Sequence, residues 1–293
     1  MITMDFLASV FLSGLSLAGI IGLMALGLGL IFGFQFIFTF AQAAFFSLGA
    51  YVGFNLMKLG LSFWVALPAV FVFVGILGML TERYLLSRFD RSDPASVLIF
   101  TVGLGLAIVE IIRWTQGLGI KFMQLPAGLD GSIRVLGSMF PAYRLFIIGY
   151  SGVMFIVIWL FLNKTPIGLI IRAGISDREM VSALGINISR IDAIVFGLGT
   201  ALAGVGGFIT APILILQPDI GTDLNLLSIV VIIVGGMRSF GGTVISALVC
   251  ALLATAFLII SAPLSNIVIF LFMGIVLLVK PGGFFGEVTR YEH

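Results

Sequence analysis

The chain has 293 residues, 60% of them hydrophobic and 10% charged, with 15 basic and 13 acidic side chains and a formal net charge of +2. Soluble domains are about 45–50% apolar and about 25% charged, so this composition cannot be hidden in one water-facing core and requires the bilayer as solvent. The near-neutral balance provides no basic stripe for nucleic acid; a sole cysteine, Cys250, and a sole histidine, His293, leave no internal disulfide, no Cys/His zinc site and no base for a histidine-dependent nucleophile.

Gaps between charges mark the crossings, because a spanning helix needs about 20 mostly apolar residues and a central charge is costly. No charged residue lies between Asp5 and Lys58, Lys58 and Glu82, Asp93 and Glu110, Arg144 and Lys164, Asp192 and Asp219, or Arg238 and Lys280; the first and last gaps are long enough for two crossings each. The segments fall near 9–33, 42–58, 62–80, 95–115, 144–162, 193–216, 224–237, 243–261 and 264–280. They predict an all-α polytopic membrane protein of about nine transmembrane helices, or eight if the 14-residue window 224–237 is short, tilted or re-entrant. The N-terminal run MITMDFLASV lacks a basic n-region, so it is expected to remain as a helix.

Loop charges set the expected orientation. Arg83, Arg88 and Arg91 follow the third segment, and Lys164, Arg172, Arg178 and Arg190 follow the fifth, which places both loops in the cytoplasm. The acidic 217–223 link, QPDIGTD, then lies outside, as does loop 116–143 despite Lys121 and Arg134, and the C-terminus with Lys280 and Arg290 lies inside.

Small residues dominate the segments. Gly29 with Gly33 and Gly49 with Gly53 are small-xxx-small pairs, suited either to close helix packing or to lining a path that opens between helices. GLGLIFGF at 27–34 is echoed by GLGTALAGVGGF at 197–208, as an internal pseudo-repeat would produce, although 37 glycines also make chance pairing common. Uncharged polar groups gather at Gln35, Thr39, Gln42 and Ser47, and must meet protein partners or a cavity. Helical spacing sets Gln42, Gly49 and Gly53 on one face, a candidate translocation path that includes Ser47. Glu110 and Arg113, three residues apart, either anchor the outer end of the fourth segment or touch solute.

The loop at about 163–192 contains SDREMVSALGI, an amphipathic piece. Ser176 followed by Glu179 reads as a capping box, Met180, Val181 and Leu184 recur at helical spacing, and Gly185 supplies a stop. Such a helix suits a groove on a soluble partner or, alternatively, the headgroup layer.

GLSLAGIIGLMALGLGLIFGF, FAQAAFFSLGAYVGF, RAGISDREMVSALGI and VVIIVGGMRSFGGTVISALV together cover most of the chain. In these segments the sequence closely resembles the permease subunits of branched-chain amino acid ABC importers, in particular the shorter H-type subunit. The family usually carries Asn-Phe-Ala-His-Gly where this chain has Thr39, Phe40, Ala41, Gln42 and Ala43, a departure that bears on the solute; relatives of the family carry urea, amides or other small solutes. The resemblance implies one permease domain in the bacterial plasma (inner) membrane, moving branched-chain or similar small amino acids inward by alternating access. It implies that Ser176, Asp177, Arg178, Glu179, Met180, Ala183, Leu184 and Gly185 couple the domain to ATPase subunits. It also implies a companion permease, two cytoplasmic ATPase subunits that use the ATP, an extracytoplasmic solute-binding protein, and no cofactor or metal in this chain.

The residues agree with that division of labour. Lys58, Lys121, Lys164 and Lys280 follow Met, Ile, Asn and Val, so none closes a phosphate-binding G-x-x-x-x-G-K-[ST] loop. An ion-gradient transporter would favour intramembrane acids or histidines, of which Glu110 is the one candidate, and an intramembrane enzyme would lack an acid–base pair.

Overall fold

A computed structural model describes residues 4–89, 93–117, 119–135, 138–258 and 261–286. In lipid every backbone N–H and C=O must be satisfied within its own segment, and the chain is accordingly helical throughout its apolar runs. The helices are α1 (Met4–Gln35), α2 (Ala41–Lys58), α3 (Phe63–Tyr84), α4 (Pro94–Gln116), α5 (Ala142–Lys164), α6 (Pro166–Ser176), α7 (Arg178–Ala183), α8 (Ile188–Thr210), α9 (Thr222–Gly235), α10 (Phe240–Leu258) and α11 (Ala262–Val279). Among the described residues six of these, α1, α3, α4, α5, α8 and α10, are long and apolar enough to cross a membrane. The protein is an all-α polytopic membrane protein. The expected positions of Arg91, Arg290, His293 and the C-terminus lie outside the described residues.

Helix α8 is the hub, packed against α1, α2 and α3 and buried along almost its whole length. Its sequence permits this, because GLGTALAGVGG presents little beyond backbone on several sides. Gly27 of α1 and Gly199 of α8 meet backbone to backbone: a Cβ on Gly27 would fall 2.3 Å from Gly199 O, and one on Gly199 would fall 2.6 Å from Gly27 O. The two echoed motifs are thus in direct contact, running antiparallel.

The order long helix, non-helical break, short helix, two further helices occurs twice. It covers α1–α4, with the break at 36–40, and α8–α11, with the break at 211–221. The leading helices of the two sets run in opposite directions, since Gln35 at the end of α1 bonds to Asp192 near the start of α8, while Arg144 at the start of α5 bonds to Ser13 near the start of α1 and so puts both starts at one end. This is an inverted repeat. It gives the bundle two ends, one carrying the α6–α7 loop and one carrying a hairpin of β1 (Ser132–Val135) and β2 (Ser138–Pro141), antiparallel with Ser132 opposite Pro141.

Two of the sequence segments are short helices, one is shifted in extent, and one loop carries a hairpin. Segment 42–58 begins halfway along the bundle, because the chain leaves α1 at Phe36, at φ 59°, and 36–40 returns without helix before α2 starts. Segment 224–237 is α9, also a half-length helix, in line with the short alternative read from its 14-residue window. Segment 193–216 starts at Ile188, where Asn187 Oδ1 accepts from Arg190 N, and stops at Thr210, after which Leu216 pairs with Lys121. Loop 116–143 contains the hairpin, which no hydrophobic pattern announced.

Candidate functional site

Loop 163–192 folds as two helices. Thr165 caps α6 by accepting from Gly168 N at 3.0 Å, with Pro166 in its first turn. Asp177, extended between α6 and α7, accepts from Met180 N at 2.9 Å, so the cap of α7 is Asp177 rather than Ser176. Ser176 instead ends α6, and the capping box does not form. Glu179 lies in the first turn of α7, and Gly185, at φ 82°, takes the left-handed turn that ends it.

Two side chains of this loop point outward as apolar knobs, Met180 at 59% and Leu184 at 72% exposure, while Ala183 is exposed beside them and Val181 is buried. Arg178 points inward. Its guanidinium donates to Phe34 O at 3.0 Å and to Asp192 Oδ2 at 2.5 Å, and lies 5.2 Å from the Phe34 ring centre. Carbonyls at a helix C-terminus lack intrahelical donors and carry partial negative charge, so a cation is favoured at the end of α1. Arg238 adds a second contact to the same region, 4.4 Å from the Phe36 ring centre. Arg178 therefore ties the exposed α7 to the end of α1, the start of α8 and the break that follows α1. Neither Phe34 nor Asp192 was legible as its partner, since they are 144 and 14 residues away.

The break at 36–40 leads into the second cluster. Gln42 is fully buried and donates Nε2–H to Gly199 O at 2.9 Å, midway along α8. Ser47 Oγ accepts from Gly221 N at 3.3 Å, which brings the N-terminus of α9 against the first turns of α2. A Cβ on Gly49 would fall 2.1 Å from Gly204 O, and one on Gly53 would fall 1.9 Å from the Phe208 ring. The face shared by Gln42, Gly49 and Gly53 is thus a closed seam against α8. Polar atoms remain along it: Gln42 Oε1, Thr39 Oγ1 and, from the first turn of α9, Asn225 Oδ1 are buried without hydrogen-bond partners. Helices α2 and α9 also start without a capping side chain, as α3 and α5 do outside this centre. The bundle centre therefore holds two helix N-termini and three unpaired side-chain oxygens, an arrangement that offers hydrogen bonds to a small polar group and no acid–base chemistry.

Glu110 stands apart from this centre, at the hairpin end of α4. It receives Arg113 Nη1 at 3.2 Å as the spacing predicted, but Arg113 also reaches Asp219 at 2.6 Å, so the pair fastens α4 to the 211–221 break. Sequence reading missed Asp219, which is 106 residues away. Nearby, Lys121 lies 5.7 Å from the Tyr51 ring centre and 5.3 Å from that of Phe54; desolvation, and then Lys58, hold its ammonium below the usual lysine range. Among the described residues no group of three or more His, Cys, Asp or Glu side chains is placed to hold a metal.

Comparison with known proteins places this architecture. Residues 10–277 match the family model described as branched-chain amino acid transport system / permease component. The chain is 27% identical over 302 residues to the high-affinity branched-chain amino acid transport system permease protein LivH of Salmonella typhimurium, covering 96% of each chain. It is 28% identical over 236 residues to a probable branched-chain amino acid transport permease protein LivH of Methanocaldococcus jannaschii, covering 76% of this chain and 72% of that one. It is also 26% identical over 212 residues to the ribose import permease protein RbsC of Haemophilus influenzae, covering 69% and 63%. With nearly its whole length matched, the chain belongs to the permease-subunit family of branched-chain amino acid ABC importers.

Proposed function

We propose that the chain is the membrane-spanning permease of an importer that carries branched-chain or similar small amino acids inward by alternating access, powered by ATP hydrolysed on separate cytoplasmic subunits. Its α6–α7 end faces the cytoplasm of a bacterial cell, its hairpin end meets an extracytoplasmic solute-binding protein, and a companion permease completes the pathway. The observation that carries this reading is α7 itself. A short helix presents Met180 and Leu184 to the outside while its Arg178 holds Phe34 O and Asp192 inside, so a groove gripping the knobs can move the ends of α1 and α8 together. The path is the seam between α2 and α8, opened so that Gln42, Thr39 and Asn225 turn their unpaired oxygens to the solute and Gly49 and Gly53 leave room for it.

The solute class rests on the relatives, and similarity to a ribose permease over two thirds of the chain keeps a neutral polar solute as the second reading. Urea and amides fall in the same group, since each can accept the hydrogen bonds the centre supplies. To test the coupling role, Leu184→Asp and Met180→Asp are made in the complete transporter. Both positions are exposed, so folding should change by less than about 0.5 kcal/mol while solute-stimulated ATP hydrolysis and uptake fall to background. Uptake at the wild-type rate in both variants would refute the assignment.

A further inference from the structure

At the α6–α7 end, helices α3 and α8 part to leave a groove of about 590 Å³. Its upper walls carry Arg83 from α3 and Ser189 and Arg190 from α8, and its deeper walls carry Ile76, Leu80 and Ile194. Among the described residues no acidic side chain lines it. Two arginines therefore line one groove above an apolar floor, an arrangement that favours an anion between them.

The direction of the groove says what that anion belongs to. Ile76 is 51% and Leu80 44% exposed on the outer flank of a spanning helix, so the groove opens sideways toward lipid. Ile76 lies two turns from Arg83, about 10 Å further along the helix and into the apolar layer, beyond the reach of a soluble subunit docked on the loop end. Tyr84 is 53% exposed and its ring centre is 5.8 Å from the Arg83 guanidinium, which sets Arg83 at the depth where tyrosines mark the membrane interface. We propose that this groove binds one anionic phospholipid, its phosphate between Arg83 and Arg190 and an acyl chain along Ile76, Leu80 and Ile194. Ser189 adds a hydroxyl donor at headgroup level.

The probes are phosphatidylglycerol, phosphatidylcholine and glycerol phosphate, bound to the purified full-length chain and followed by native mass spectrometry and thermal unfolding. Two interfacial arginines predict about a thirtyfold preference for phosphatidylglycerol over phosphatidylcholine. The preference should fall to near parity in the double variant Arg83→Gln, Arg190→Gln. It should fall likewise in Ala193→Phe, which narrows the groove and leaves both arginines in place. Phosphatidylcholine-bound chains of each variant should keep the wild-type melting temperature; if the double variant does not, Ala193→Phe decides the matter. Equal binding of the two lipids by the wild type, an unchanged preference in Ala193→Phe, or displacement of the lipid by glycerol phosphate alone would each overturn the proposal. So would arginine variants that keep the lipid preference but lose the ATPase subunits on purification, because the pair would then be a protein contact.

Discussion

Replacing Gly49 with alanine separates a packed seam from an open channel more cleanly than a bulky change does. The added Cβ would lie 2.1 Å from Gly204 O, 2.3 Å from Gly204 Cα and 2.4 Å from Gly204 C, all of them backbone atoms with no rotamer to yield. Restoring even a tight contact requires α2 and α8 to separate by about 1 Å, which breaks the fit around Gly53 and stretches the Gln42 bond to Gly199 O. Overpacking of this kind costs typically 1–3 kcal/mol, and a rigid opposing backbone puts Gly49→Ala near the upper figure. At about 3 kcal/mol the unfolding equilibrium shifts more than a hundredfold. Gly103 on α4 is the control, because a Cβ there meets nothing within 4 Å; Gly103→Ala should be neutral, or gain up to about 1 kcal/mol from helix propensity. The assay is unfolding in mild detergent titrated with denaturing detergent, run on both variants side by side. If Gly49→Ala unfolds at the same midpoint as Gly103→Ala, the close approach of α2 and α8 is not part of the resting protein and the seam argument fails.

Two further outcomes follow from the loop end. Arg178→Met removes the cation from the end of α1 and from the buried Asp192 carboxylate, so it should lower stability by about 2 kcal/mol and uncouple ATP hydrolysis from uptake, whereas Arg178→Lys, which cannot span both acceptors with a planar fork, should recover stability more than coupling. In a Cys250→Ser background, Ser176→Cys should react with an impermeant maleimide only from the cytoplasmic side and Gly131→Cys, beside the hairpin, only from the other; labelling of both from one side would contradict the placement of the hairpin and the α6–α7 loop at opposite ends.

Charge gaps located all nine apolar segments because the bilayer leaves the backbone no alternative to helix between them. What they could not report is where a helix is broken inside the apolar layer. The 36–40 break reads Phe-Ile-Phe-Thr-Phe, with no glycine, proline or charge to mark it, and its reversal rests on one positive φ at Phe36 that tertiary packing enforces. The 211–221 break contains Pro212, Pro218, Asp219 and Gly221, and Pro212 alone marks an end of the sixth segment near Thr210. The shared face of Gln42, Gly49 and Gly53 was legible from spacing alone, since all three meet α8. Its partner was not, because small residues specify close approach without specifying to what. At 176–179 spacing singled out Ser176 as the cap, but α6 runs through Ser176 and the extended residue is Asp177, which caps α7 instead.

The inverted repeat explains why one loop can act on the centre. Each short helix rests a polar side chain on the backbone of the opposite long helix: Gln42 of α2 on Gly199 O of α8, and Ser228 of α9 facing Ile21 O of α1 at 3.5 Å. Side-chain contacts to helix carbonyls are worth about 1 kcal/mol net and recur at every turn, so they can be exchanged for neighbouring carbonyls at small cost as the helices shift. Ion pairs behave differently, being local and directional, and those on the described residues lie at the two ends: Arg113 with Glu110 and Asp219 at one, Arg178 with Asp192 at the other. Firm ends and an exchangeable centre favour rigid-body rocking over local unfolding. Because Arg178 holds α1 and α8 at the same point, a displacement of α7 acts on both repeats at once. On the proposed mechanism, that shared attachment, more than any single residue of the seam, would make opening at the centre a concerted event.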